Sequence, residues 1–412
     1  MFCSFSVYYF SSSPSRLKID FFYCLFFPMF RIKCPTFSSC EHFCVFVPKI
    51  CETVKKFRKH FTFSQFYGII IYTSFSKEMS SLATLEDIAR SLGVSKSTVS
   101  KALNGAKDIS KAMRQTVLER AVEMGYSRMA RSPELPRLAV FVINMEYVKP
   151  EDFGYDLVIG FRQAAEPAGY QVEIIPLTQQ MQQEAHFDTY MVQNNFGGAF
   201  LLGLSLLDPW MKDFETCKTP AILYDNHISS NPRVTHVGVD NAEGMVLAVQ
   251  HLKELGHSKI GYLSSELEAY VYRQRYHAFF QALKTCGLEA DESLAGCSYF
   301  INDCMQHLPA LLKQGCTAIV CSHDLLAHSA MIHCAQMGLR VPEDISILGF
   351  DDIPMCRYTL PPLSSIRQDR INIGKSAFYA MLNQLNNVHV TSLLLHPELV
   401  ERASCAKAAE QK

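Results

Sequence analysis

The chain predicts a small all-α helix-turn-helix headpiece followed by a larger α/β domain of two lobes. Two observations carry that expectation. Residues 84–104 spell two short helices around a glycine turn, and from Leu138 onward short apolar runs alternate with amphipathic stretches. Alternation of that kind specifies parallel strands covered on both faces by helices, and about 270 residues is too long for one compact set of layers.

In the headpiece, Thr84 is placed to N-cap the first helix with Asp87 three residues on as its reciprocal partner, and Ile88, Ala89 and Leu92 form an apolar stripe. Gly93 breaks that helix as a tight turn requires. Ser95 caps the second helix. Val99, Ala102 and Leu103 fall on one of its faces, and Lys96, Ser97 and Lys101 fall on the other. A third helix is expected from the cap Ser110 through Met113, Val117 and Ala121 to Gly125, covering the apolar faces of the first two.

A helix with a buried side and a cationic side, following a tight turn, is the arrangement that enters the major groove of DNA. Ser97 and Lys101 stand one above the other and can reach neighbouring base edges. Thr98 and Ser100 are better placed for phosphates. Thr84, Ser95, Lys96 and Asn104 complete the expected DNA-facing set, with Arg128 and Arg131 beyond the third helix. Charge agrees: residues 79–131 hold nine lysines and arginines against five acids, whereas residues 132–412 hold 20 against 31, so the overall charge of −1 hides a basic headpiece. Phosphate neutralisation supplies most non-specific DNA affinity.

The first 78 residues differ in composition. They contain 16 of the 28 Phe and six of the 15 Cys, with no amphipathic period. The run from Phe21 to Phe30 is about ten apolar residues and contains Pro28, too short to span a bilayer. Asp20 and Pro28 also disfavour a secretory signal. Residues 1–78 are therefore expected to be an upstream extension, disordered or absent, with Met79 the natural start. Cys40 and Cys44 have no second ligand pair at finger spacing, so neither a metal nor a cofactor is expected. Cys217, Cys286, Cys316, Cys321 and Cys334 sit in apolar surroundings and read as small buried hydrophobes of a reducing cytoplasm.

The expected strands are Leu138–Ile143, Val172–Ile175, Ala199–Leu202, Ala221–Tyr224, Val237–Val239, Ile260–Leu263, Ala318–Cys321 and Ile345–Phe350. Ligands of such sheets bind beyond the carboxyl ends of the strands, where Asp225, His323 with Asp324, and Asp351 lie. Tyr147, Phe153 and Tyr155, after the first strand, could stack on a ligand or close a cleft.

Residues 79 to about 405 resemble the lactose-repressor family of bacterial transcription regulators. The resemblance rests on three segments in order: Val94-Ser95-Lys96-Ser97-Thr98-Val99-Ser100-Lys101, then His251-Leu252-Lys253-Glu254-Leu255-Gly256-His257, then Val341 through Asp352. It implies an N-terminal all-α helix-turn-helix headpiece (79–131), a short linker (132–137), an α/β two-lobed periplasmic-binding-protein-like (type I) effector domain (138–405) and a tail (406–412). It also implies lobe crossovers near Val239 and Ser364 with a final return near Leu394 to Val400. By the same resemblance Asp225, Arg275, His323, Asp351 and Gln368 occupy effector-contacting positions. The family commonly has Asn where His323 stands.

The implied protein is a homodimeric repressor of operator DNA, controlled by a small effector. Carboxylates and a guanidinium converging on a cleft suit a polyhydroxylated ligand, a sugar or nucleoside. The rival reading is an extracytoplasmic sugar-binding protein of a transporter, which would share the two lobes but not the headpiece. No nucleophile elbow, phosphate-cradling loop or His-Glu-x-x-His pattern points to an enzyme.

Two departures from the family stand out. Relatives carry a linker helix with a leucine that wedges into the minor groove, whereas this chain has Pro133 there and Pro136 beyond, which disfavour a helix. An extended linker, with Arg128 and Arg131 near phosphates and less DNA bending, is the expectation. Lys101 also replaces the arginine of many relatives and lacks its bidentate fork.

Overall fold

The computed structural model describes residues 83–126, 135–265 and 267–408. Expectations for the upstream segment, for the linker helix and for Arg128 and Arg131 lie outside the described residues.

The headpiece is built from local signals. Its helices are α1 (Leu85–Leu92), α2 (Lys96–Leu103) and α3 (Lys111–Glu123). Thr84 and Asp87 form the reciprocal capping box, and Gly93 closes α1 at φ 65°, a left-handed conformation that costs glycine nothing. Ser95 and Ser110 accept from Thr98 N and Met113 N and so cap α2 and α3. Ile88, Val99 and Val117 are fully buried at the centre with Ala102, Leu103, Leu118 and Ala121 around them. Truncating Ile88 to Ala would cost about 2–5 kcal/mol, a large share of what so small a core supplies.

The first lobe contains β1 (Arg137–Val142), α4 (Phe153–Ala165), β2 (Gln171–Pro176), α5 (Gln179–Glu184), α6 (Phe187–Gln193), β3 (Ala199–Leu202), β4 (Ala221–Tyr224) and β5 (Val234–Val239). The second contains α7 (Asn241–Glu254), β6 (Ile260–Ser265), α8 (Tyr270–Thr285), β7 (Ala295–Ser298), β8 (Ala318–Cys321), α9 (Asp324–Gln336), β9 (Ser346–Asp351) and β10 (Ser364–Arg367). The chain then returns to the first lobe as α10 (Arg370–Leu385) and β11 (Ser392–Leu395), and ends in the second with β12 (Glu398–Val400).

The sheet orders are β11-β5-β4-β3-β1-β2 and β12-β10-β9-β8-β6-β7, parallel throughout except that β12 runs antiparallel to β10. Side chains alternate across each sheet. Leu138, Val140 and Val142 face α4 and α10, while Ala139 and Phe141 face Trp210, Phe187 and Phe214. In the second lobe Ile319, Cys321 and Ile347 pack on one face, and Tyr262, Val320, Leu348 and Phe350 pack on the other. Helices α4 and α10 approach closely because Gly160 and Gly374 face each other's backbone. A Cβ at either would lie 2.1 Å from Ile371 O or 2.2 Å from Leu157 O.

Three crossings join the lobes, at 239–241, 367–370 and 395–398. The second falls a few residues beyond Ser364, because Ser364 to Arg367 still pair with β9 before the chain leaves. Strand β7 has no apolar run to announce it; Ala295 to Ser298 are held by pairing to β6. Cys217, Cys316, Cys321 and Cys334 are buried, with thiols pushed up mainly by burial, whereas Cys286 is only half-buried. No helix among the described residues is long and apolar enough to cross a membrane.

Candidate functional site

On the headpiece, Lys96, Ser97, Lys101 and Asn104 are exposed along the outer side of α2, opposite the buried Val99, Ala102 and Leu103. Both lysines are held by local acids. Lys96 Nζ donates to Glu86 Oε1 at 2.6 Å and Lys101 Nζ to Asp108 Oδ2 at 2.5 Å. The Lys101 ammonium in turn holds the Asp108 carboxyl below its ordinary range. Exposed pairs of this kind are worth little, so a phosphate or a guanine edge can replace the carboxylate at small cost. Thr84 and Ser95 spend their hydroxyls on caps, Ser95 and Thr98 share a hydroxyl contact at 2.8 Å, and Ser100 accepts from Asn104 Nδ2 at 3.4 Å. Ser97 and Lys101, four residues apart, are both exposed on this outer side, one above the other.

The second constellation lies where the lobes face each other. From the first lobe come Tyr224 and Asp225 at the carboxyl end of β4, and Asp225 sits at φ 53°, which Asp tolerates better than most residues. From the second come Arg275 on α8, His323 after β8, and Asp351 ending β9. Gln368, on the crossover, ties them together: its Oε1 accepts from the Tyr224 hydroxyl at 3.1 Å and its Nε2 donates to Asp351 Oδ1 at 2.6 Å.

Arg275 is 2% exposed and fixed on every side. Its Nε donates to Asn241 Oδ1 at 2.9 Å, its Nη1 to Ser322 O at 2.6 Å, and the same Nη1 lies 3.2 Å from Asp351 Oδ1. The guanidinium stacks 3.7 Å over the Phe350 ring. The neighbouring acids separate clearly. Asp351 turns toward Arg275 and Gln368, whereas Asp352 is taken up by Arg367 at 2.8 Å and Arg402 at 2.5 Å and serves the fold.

His323 is the N-cap of α9. Its Nδ1 accepts from Leu326 N at 3.3 Å, which leaves the proton on Nε2 to meet Ser265 Oγ at 2.8 Å. Burial drives its pKa down to about 4, so the ring is neutral. Both polar atoms are thereby satisfied within the protein, and the imidazole offers the cleft a ring face beside Tyr272, 5.4 Å away. Phe153 packs between Tyr224 and Arg370, Tyr147 leans on the first lobe's core, and Tyr155 lies in α4 without joining that cluster.

Sequence reasoning missed a group to which both lobes contribute, His227 and His236 from the first and Tyr270 from the second. His227, His236 and Tyr270 form an aromatic triangle with centroids 5.7–6.1 Å apart. Beside it, three buried polar atoms have no hydrogen-bond partner: Asp225 Oδ1, Asn226 Oδ1 and His236 Nε2. Gly238 is what admits the carboxylate, since a Cβ there would lie 2.6 Å from Asp225 Oδ1. Burial pushes the Asp225 carboxyl up to about 6, with Arg275 pulling the other way, and takes His236 down to about 4. Buried polar atoms without partners are costly, and they become assets when a ligand supplies complementary groups.

Residues 84–128 match the model for bacterial regulatory proteins of the lacI family, and residues 249–405 match a periplasmic binding protein-like domain. The transcriptional repressor CytR of Escherichia coli strain K12 is 32% identical over 339 residues, covering 80% of this chain and 98% of that protein. The chain belongs to the lacI family of bacterial regulatory proteins. Other family members include the PurR repressor of Aliivibrio salmonicida, 27% identical over 79% of this chain and all of that one. MalR of Streptomyces coelicolor is 29% identical over 80% and 98%. Among solved structures, a CelR–cellobiose complex superposes with a TM-score of 0.56 at 23% identity, covering 78% of this chain and 99% of that one. The lac repressor dimer bound to operator and an anti-inducer gives 0.54 at 23%, covering 79% and 99%. These likenesses cover headpiece and lobes together.

Proposed function

We propose that this lacI-family chain is a homodimeric transcriptional repressor that reads a near-palindromic operator with paired α2 helices and is released or engaged by a small ligand between its lobes. Ser97 and Lys101 read base edges, and Lys96, Thr98, Ser100 and Asn104 steady the helix on phosphates, with Arg128 and Arg131 adding charge at the end of the headpiece. In the cleft, Asp225, Arg275, Asp351 and Gln368 hold a hydroxylated ligand, a sugar or nucleoside. Tyr147, Phe153 and Tyr155 line the approach, and His323 walls it. The set needs no bond-making chemistry: there is no poised nucleophile in it, and the work is binding alone, in the cytoplasm.

The observation that carries the ligand half is the group of unpartnered atoms on Asp225, Asn226 and His236, of which Asp225 lies near enough to Arg275 and Asp351 to feel their charges. A ligand bridging both sides binds the closed arrangement better than the open one, and only that difference in affinity can shift the lobes.

Thermal unfolding against a panel of sugars, sugar phosphates and nucleosides tests this directly. A ligand at about 100 times its Kd adds about 2.7 kcal/mol, which moves the midpoint of a chain this size by about 4 °C. A hit that also shifts Asp225→Ala would argue against the cleft; a hit lost in Asp225→Ala supports it.

A further inference from the structure

The last carbonyls of a helix have no partner within it, and a cation placed there is favoured both as a hydrogen-bond donor and by the helix dipole. At the end of α3 that cation comes from elsewhere in the chain: Lys218 Nζ donates to Glu123 O at 2.7 Å, across 95 residues of sequence.

Lys218 does not hang from a loose loop. Its own N–H and that of Thr219 both donate to the Asp188 carboxylate at 2.9 Å, so the turn is pinned to the first turn of α6. Asn231 Nδ2 fastens the same turn from the other side through Phe214 O and Cys217 O, each at 2.9 Å. Helix α6 itself lies against α3, and its Val192 packs onto the headpiece core. His186, just ahead of α6, is paired with Asp213 and lies near enough to Glu119 of α3 to feel its charge. Three features of the first lobe thus meet one helix of the headpiece, while the outer residues of α2 stay exposed.

We propose that Lys218 is a positioning residue for DNA recognition: with α6 it latches the headpiece to the first lobe through α3. Movement of that lobe is carried to α2 by this contact as well as by the segment of chain that connects them.

The test uses the full chain and a duplex selected from random sequences by the unaltered protein, with affinity followed by fluorescence anisotropy over a salt series. Lys218→Met and Val192→Ser are each expected to weaken binding to the selected duplex three- to tenfold. Lys218→Arg, which can still reach the carbonyl, should stay within twofold. Binding to a scrambled duplex and the slope of affinity against salt should not change, and hydrogen exchange in the 187–193 peptide should quicken in Lys218→Met. A slope reduced by about one charge would make Lys218 a phosphate contact and overturn the proposal. Unchanged affinity in both variants would overturn it too, as would tighter binding, which would mean that the contact restrains the headpiece.

Discussion

Replacing Asp225 with Asn should make the ligand-free protein more stable while abolishing its response to ligand. The Asp225 carboxyl is raised from 3.8 to about 6, chiefly by burial. A group whose folded pKa lies above its unfolded value stabilises the fold fully below the unfolded value and loses that contribution as pH rises through the folded one. At pH 7.5 the native state therefore carries an ionised carboxylate at a cost of about 3 kcal/mol by linkage. The residue keeps some exposure, and solvent reaching it trims the figure to about 1–2 kcal/mol. Asn is isosteric, neutral and tolerant of the left-handed backbone at φ 53°, so no strain offsets the gain. Urea unfolding at fixed protein concentration, at pH 7.5 and at pH 4, measures it. The variant should gain about 1–2 kcal/mol at pH 7.5 and almost nothing at pH 4. A variant less stable than its parent at pH 7.5, or equally stabilised at both values, would refute the reasoning, because the charge would then not be what burial penalises.

Other outcomes follow from the same geometry. Arg275→Leu strips a buried carboxylate of its partner and should cost about 3–5 kcal/mol of stability, of which Asp351→Asn in the same chain should restore a part, both read by urea unfolding. Lys101→Arg should sharpen base discrimination at one operator position by about 1 kcal/mol or more, seen in competition between singly substituted duplexes. Thr84→Ala removes a capping box and should destabilise the headpiece by about 1 kcal/mol, visible in hydrogen exchange of α1, with the lobes' melting unchanged.

The sequence alone determined the headpiece, because every signal there is local. Caps and partners at Thr84, Ser95 and Ser110 lie within three residues of the groups they satisfy, and the stripes of α1, α2 and α3 are set by helical spacing. It also determined most strands of the lobes, since a strand buried on both faces must be apolar throughout, and it placed Asp225, His323 and Asp351 at strand ends. The resemblance to a known family added Arg275 and Gln368. Strand β7 escaped because an edge strand can be held by its neighbour's backbone without an apolar run of its own. Only the tertiary structure separated Asp351 from Asp352, adjacent and chemically identical: one faces Arg275 and Gln368, and the other is consumed by Arg367 and Arg402. Only it could gather Asp225, Asn226, His227, His236 and Tyr270 from β4, β5 and α8, or bring Lys218 to the end of α3. Periodicity and capping report which face of an element is buried and where it stops. Which distant side chain meets an orphaned carboxylate or carbonyl is settled by packing, whose partners are far apart in the chain and leave no period in it.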